Sequence, residues 1–148
     1  MLRFPRQLQR YDSAADCCDR LAERLENHLR QWLLMPLALR RPLGLATGRT
    51  MEPLYAALVR RLMLWSAQDL VELRRRWCSF NLDEYLGVQA GDQCSYSTYM
   101  SRHLAEPLQL RSETLHLPNG SAADGDAAAQ SYAAALDACG GVGVQLLG

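Results

Sequence analysis

The sequence predicts an α/β domain in which a parallel β-sheet carries helices on its faces. Short apolar runs bounded by turn residues alternate with longer stretches of helical periodicity. Helical stretches of this length between strands serve as crossovers, and crossovers join parallel neighbours. The run Leu43-Gly44-Leu45-Ala46 is apolar throughout, as a strand covered on both faces requires.

Residues 12 to 34 read as an amphipathic helix. Leu21, Leu25, Leu29 and Trp32 recur at helical spacing, with acids early and arginines late, as the helix dipole favours. Pro36 and the Arg40-Arg41-Pro42 cluster end it. The first strand, residues 43 to 46, meets a tight turn at Thr47-Gly48-Arg49-Thr50. From Met51 the spacing of Leu54, Leu58 and Leu62 predicts a helix running toward Leu64. A short polar helix at 69 to 75 ends in an arginine run, which reads as a solvated helix end. A second strand spans about 77 to 82 and delivers Asp83-Glu84-Tyr85 at its carboxyl end. A loop from Gly87 to Ser95 leads to a helix at about 96 to 106, which Pro107 is expected to close. Leu115-His116-Leu117 is a third short strand, followed by the turn Pro118-Asn119-Gly120. An alanine-rich helix covers roughly 123 to 138, Gly140-Gly141 breaks it, and Val142 to Leu147 reads as a fourth strand. The chain stops at Gly148, with no connecting helix after this strand. We therefore expect a single incomplete domain over residues 1 to 148, truncated after about the fourth strand. An unfinished sheet edge further leads us to expect self-association, as a homo-oligomer joined through the last strand.

The totals narrow the chemistry. At 148 residues the chain can enclose one core, and its formal net charge is zero. Scattered basic residues make no concentrated positive field, which argues against nucleic acid and anionic membrane surfaces as partners. No apolar run is long enough to span a bilayer, and no secretory leader is visible at Met1, so a cytoplasmic location is expected. The five cysteines form no C-x-x-C pair and are expected to be reduced structural thiols. All sixteen basic residues are arginine. Without lysine these residues offer no Schiff base, no pyridoxal phosphate attachment and no P-loop lysine.

Two segments hold candidate chemistry. At Thr47-Gly48-Arg49-Thr50, glycine permits close backbone approach, and free amides at a helix N-terminus attract anions. The two threonines add hydroxyls and Arg49 adds charge, so a phosphate is the natural occupant. The alternative is an ordinary strand-helix turn capped by threonine. The second segment is Asn81-Leu82-Asp83-Glu84-Tyr85. Successive residues in an extended chain point oppositely, so one of the two acids is expected to face the pocket. A carboxylate there could take a proton from carbon next to a carbonyl. The alternative is a loop or N-cap acid without chemistry. His28, His103 and His116 read as packing or surface residues, and no histidine has metal-ligand spacing, so no metal is expected.

Together these segments resemble the glucosamine-6-phosphate deaminases, also called glucosamine-6-phosphate isomerases. The resemblance rests on Leu43-Gly44-Leu45-Ala46-Thr47-Gly48-Arg49-Thr50, Phe80-Asn81-Leu82-Asp83-Glu84-Tyr85, Ser95-Tyr96-Ser97-Thr98-Tyr99-Met100, Leu117-Pro118-Asn119-Gly120 and Gly140-Gly141-Val142. It implies a Rossmann-like α/β fold of deaminase/isomerase type and a reaction without cofactor. Glucosamine 6-phosphate and water would give fructose 6-phosphate and ammonia through an enol-type intermediate. Asp83 would be the catalytic base moving a proton between sugar carbons 2 and 1, and Thr47, Gly48, Arg49 and Thr50 would line the phosphate pocket. Ala46 and Met51 replace prolines common in the family, and Arg49 replaces a small residue. The family's later segment, with the histidine associated with ring opening, has no counterpart in these residues, so impaired or absent turnover is expected of them alone. Two other readings stay open: a non-catalytic sugar-phosphate-binding remnant, and a hydrolase like the related 6-phosphogluconolactonases.

Overall fold

A computed structural model describes residues 7 to 148. The first helix, α1 (Ala14–Leu34), starts where the Ser13 hydroxyl accepts the Asp16 amide at 3.1 Å, with Asp16 in the first turn. Its buried stripe of Ala22, Leu25, Leu29 and Trp32 packs on α2 (Glu52–Leu62) through Leu54, Leu58 and Leu62. The rim of that contact is polar. The Glu26 carboxylate receives the Arg61 guanidinium at 2.9 Å and the Trp65 indole N–H at 2.8 Å. Helix α2 stops at Leu62, and Leu64, expected near its end, is exposed. Ser66 then caps α3 (Ala67–Arg76) through the Asp69 amide.

The arginines closing α3 depart from the sequence reading of a solvated end. Arg74 Nε donates to the Leu108 carbonyl at 2.8 Å, and Arg76 Nη1 to the Leu33 carbonyl at 3.1 Å. Helix carbonyls at a C-terminus lack intrahelical partners, and a long cation can satisfy those of a neighbouring helix. Only Arg75 of the three has the character the sequence implied, with its side chain 60% exposed.

Four strands, β1 (Leu43–Leu45), β2 (Ser79–Asn81), β3 (Leu115–His116) and β4 (Val144–Gln145), form one parallel sheet in the order β3-β2-β1-β4. Alternate residues face opposite sides. Leu43, Leu45, Leu115 and Leu146 join the core beneath the first three helices. The in-register row Gly44, Phe80 and His116 faces the other side. There His116 stacks on Phe80 with ring centroids 4.3 Å apart, and Tyr132 of α6 (Gly125–Ala138) lies 5.5 Å from Phe80. The Tyr132 hydroxyl sits between the Asn81 and His116 carbonyls, at 2.8 and 2.9 Å, and so pins α6 across two strands.

The strands are shorter than the apolar runs suggested, because apolarity marks burial rather than ladder pairing. Trp77 is buried outside the ladder and donates its indole N–H to Ser79 Oγ at 3.0 Å. The helix expected to close at Pro107 instead continues. Helix α4 (Tyr96–Met100) passes into a π-helical turn at Ser101–Ala105 and then into α5 (Glu106–Leu108), ending at Gln109 with φ 55°. The widened turn shifts the hydrogen-bond register before the proline, which then falls at the start of a segment that needs no donor from it. Among the described residues, no helix is long and apolar enough to cross a membrane.

Candidate active site

The strand order creates a switch point. From β1 the chain moves outward to β2 and β3, then crosses back to place β4 on the other side of β1. In such sheets the crevice outside the carboxyl ends of the diverging strands is where ligands bind. The turn Thr47-Gly48-Arg49-Thr50 leaves β1 at this point. The exit of β4 lies beside it, with Gly148 packed against Thr50 and Met51.

Gly48 has φ 120°, a region closed to most residues with a side chain, and a Cβ there would meet nothing within 4 Å. The open space lies where a ligand would approach. The Gly48 carbonyl is turned inward, accepting the Met51 amide at 3.0 Å and the Tyr99 hydroxyl at 2.8 Å. Tyr55 fixes the chain two residues earlier by donating its hydroxyl to the Ala46 carbonyl at 2.5 Å. Burial of the Tyr99 hydroxyl, with added repulsion from Glu52, pushes it up to about 12, so it stays a neutral donor. No side chain caps α2. The threonine-capped turn considered from the sequence is therefore not what forms, and the first-turn amides are left without a side-chain acceptor. Thr47 is half-buried, whereas Arg49 and Thr50 are exposed. Glu52, in the same first turn, places one negative charge near this end of the helix.

The register carries the second segment to the same place. Leu45 lies opposite Asn81, and the Leu82 amide donates to the Leu45 carbonyl at 3.1 Å, so the extended chain brings Asp83 level with Thr47. The two acids then separate. The Glu84 carboxylate accepts the Tyr85 and Tyr96 amides at 3.0 Å each and the Ser97 amide at 3.1 Å, which makes it a cap for α4. Asp83 is exposed and makes no hydrogen bond or ion pair among the described residues. Of the two acids, Glu84 is taken up by the α4 amides and Asp83 is left exposed.

Tyr96 joins the two segments, a feature the sequence reading quoted within a motif without giving it a role. Its hydroxyl lies 3.0 Å from that of Tyr85, and the two rings meet at a tilt of 40° with centroids 4.9 Å apart. The hydrogen bond with Tyr85 and burial raise its pKa, with repulsion from Asp83 adding to them and the Thr47 hydroxyl opposing. Thr47, Asp83 and Tyr85 thus all bear on Tyr96 at the mouth of β1 and β2. The loop after β3 supports this mouth from below. The Gly87 amide donates to the Gly120 carbonyl at 2.7 Å, and a Cβ on Gly120 would overlap the Tyr85 carbonyl.

The chain is similar to known proteins over most of its length. Over 106 residues the chain is 41% identical to a glucosamine-6-phosphate deaminase of Lysinibacillus sphaericus, covering 72% of this chain and 43% of that protein. Over that span the chain is homologous to the glucosamine-6-phosphate deaminases. A deaminase of Clostridioides difficile is 38% identical over 106 residues, 72% of this chain and 41% of its own length. The chain thus spans less than half the length of these relatives. Its fold is that of the NagB superfamily: a solved monomeric glucosamine-6-phosphate deaminase superposes with a TM-score of 0.77 at 27% identity, over 93% of this chain and 52% of that one. No family model matches the chain.

Proposed function

We propose that these residues form the part of a glucosamine-6-phosphate deaminase site that holds the substrate's phosphate and moves its proton. The single observation that carries this reading is the pairing in register of an uncapped helix N-terminus, reached through Gly48, with an unpaired carboxylate at Asp83. The phosphate would sit on the amides of residues 48 to 50, with the Thr47 and Thr50 hydroxyls and the Arg49 guanidinium as further donors. A sugar phosphate anchored there extends along the strand mouths toward Asp83. In the open-chain form the Asp83 carboxylate takes the proton from carbon 2 and returns it to carbon 1. Water then adds to the imine left at carbon 2, and ammonia departs to give the ketose phosphate. Positioning by the phosphate is what makes a single weak base sufficient for the transfer.

Ring opening, which the resemblance assigns to a later histidine segment, is not supplied by these residues. Turnover by the 148 residues alone is accordingly expected to be low or absent. The test measures fructose 6-phosphate and ammonia from glucosamine 6-phosphate, beside binding of the same compound, for the chain and for Asp83→Asn. Binding retained in both, with any turnover lost in Asp83→Asn, supports the reading. Asp83→Asn turning over as fast as the parent would remove Asp83 from the chemistry. Equal binding, with no turnover that depends on Asp83 even when the later half of a relative is supplied, would leave a sugar-phosphate binder.

A further inference from the structure

A cleft of about 750 Å³ opens at the pole opposite the phosphate turn, where β1, β2 and β4 begin. Arg40, Arg41, Arg75 and Arg76 line it, against one carboxylate in its wall, Asp137. Glu72 offsets part of the charge by pairing with Arg75 at 2.8 Å and Arg76 at 2.7 Å. The positive excess is felt within the group: burial, then repulsion from Arg76 and Arg75, lowers the pKa of Arg40. Two thiols share this cleft. Cys78 stands at the root of β2 and Cys139 caps the end of α6; both thiols line the cleft, near enough that Cys139 adds to the burial that raises the Cys78 pKa. Both are partly exposed.

We propose that Cys78 and Cys139 form a reversible dithiol–disulfide site whose oxidant is a small carboxylate-bearing disulfide, drawn in by the cleft's arginines. Guanidinium groups match carboxylates in shape as well as charge, and a cleft lined by one sign of charge raises the local concentration of its counter-ion. The order of steps follows from burial, which pushes the Cys78 thiol up to about 11 and keeps it protonated. The Cys139 thiolate attacks one sulfur of the reagent. The reagent's S–S bond breaks, one thiolate leaves and takes a proton, and Cys139 holds the other half as a mixed disulfide. Cys78 then attacks the Cys139 sulfur and releases its own proton to solvent. The second thiolate leaves and is protonated. Two electrons have passed from the protein to the reagent, which departs as two thiols. The bond joins α6 to the sheet where that helix most needs a tether. No residue of α6 is fully buried, and Tyr132 is its main anchor to β2 and β3.

The folded chain is incubated with glutathione disulfide at low salt, quenched with acid, and its peptides are mapped by mass. The expected product is a Cys78–Cys139 cross-link, with a higher thermal midpoint than the reduced chain, while the exposed Cys17 and Cys94 carry mixed disulfides only. Cystamine, a cationic disulfide, is expected to form the same bond about tenfold more slowly, the gap closing at high salt. Arg75→Gln, whose side chain pairs with Glu72, should slow the glutathione reaction and quicken the cystamine reaction, narrowing the gap between them. Failure of the cross-link to form in folded protein would overturn the site. Equal rates for the two reagents at low salt would overturn the assignment of its oxidant.

Discussion

Replacing each of the two adjacent acids in turn separates structure from chemistry. Glu84→Ala removes a carboxylate that accepts three amides, those of Tyr85, Tyr96 and Ser97, at 3.0, 3.0 and 3.1 Å. A hydrogen bond to a charged group contributes about 1.5–3 kcal/mol when water is excluded. Glu84 is only half-buried, so water replaces much of each, and loss of a helix cap typically costs about 1 kcal/mol. Ser95 Oγ still accepts the Thr98 amide at 3.1 Å, so α4 keeps one cap. The net expectation is a loss of about 2 kcal/mol, or roughly 4–8 °C in thermal midpoint for a chain of this size. Glu84→Gln keeps a neutral acceptor and should lose about half as much. Asp83→Asn removes no contact and should stay within about 0.5 kcal/mol of the parent. Thermal and urea unfolding followed by circular dichroism measure all three. If Asp83→Asn destabilised the chain as much as Glu84→Ala, the division of labour between the acids would be wrong. An unchanged midpoint in Glu84→Ala would refute it equally.

Two further outcomes are expected. Gly120→Ala should cost about 1–3 kcal/mol in urea unfolding, because its Cβ would overlap the Tyr85 carbonyl and come within 2.9 Å of Val88 Cγ2, whereas Gly91→Ala, in open space, should be near neutral. Stability should also fall as the pH drops from 7 to 5.5. Burial lowers the pKa of both His28 and His116 from the ordinary 6.5, so the unfolded chain takes up protons first; the stability is full above 6.5 and lost below it. His116→Phe, which keeps the stack on Phe80, should flatten that decline in the urea midpoint.

The α/β architecture, and the position of the two candidate segments at strand ends, could be read from the sequence because both are local. Periodicity shows which face of an element is buried, and Thr47-Gly48 or Leu82-Asp83 sit where an apolar run meets polar residues. The roles of Glu84 and Tyr96 were not local. Glu84 acts on amides 12 and 13 positions further along the chain, and Tyr96 meets Thr47 only because α4 packs beside the mouth of β1. The arginines closing α3 were misread for the same reason, since their acceptors Leu108 and Leu33 belong to other elements.

Strand order was the largest piece that sequence could not supply, and it bears most on function. Hydrophobicity tells that four strands are buried, whereas the direction of each crossover decides which exits lie side by side. Had β4 paired with β3, the turn at Gly48 would have opened on a sheet edge beside β2 alone, and the short Thr-Gly motif would have stayed indistinguishable from any glycine turn. With β4 on the far side of β1, the turn faces a crevice between diverging strands, at a helix start that no side chain caps. A weak motif gains its meaning from that placement. The same order puts β2 on the other flank of β1, so Asp83 reaches the crevice through the ladder itself, by way of the Leu82–Leu45 hydrogen bond.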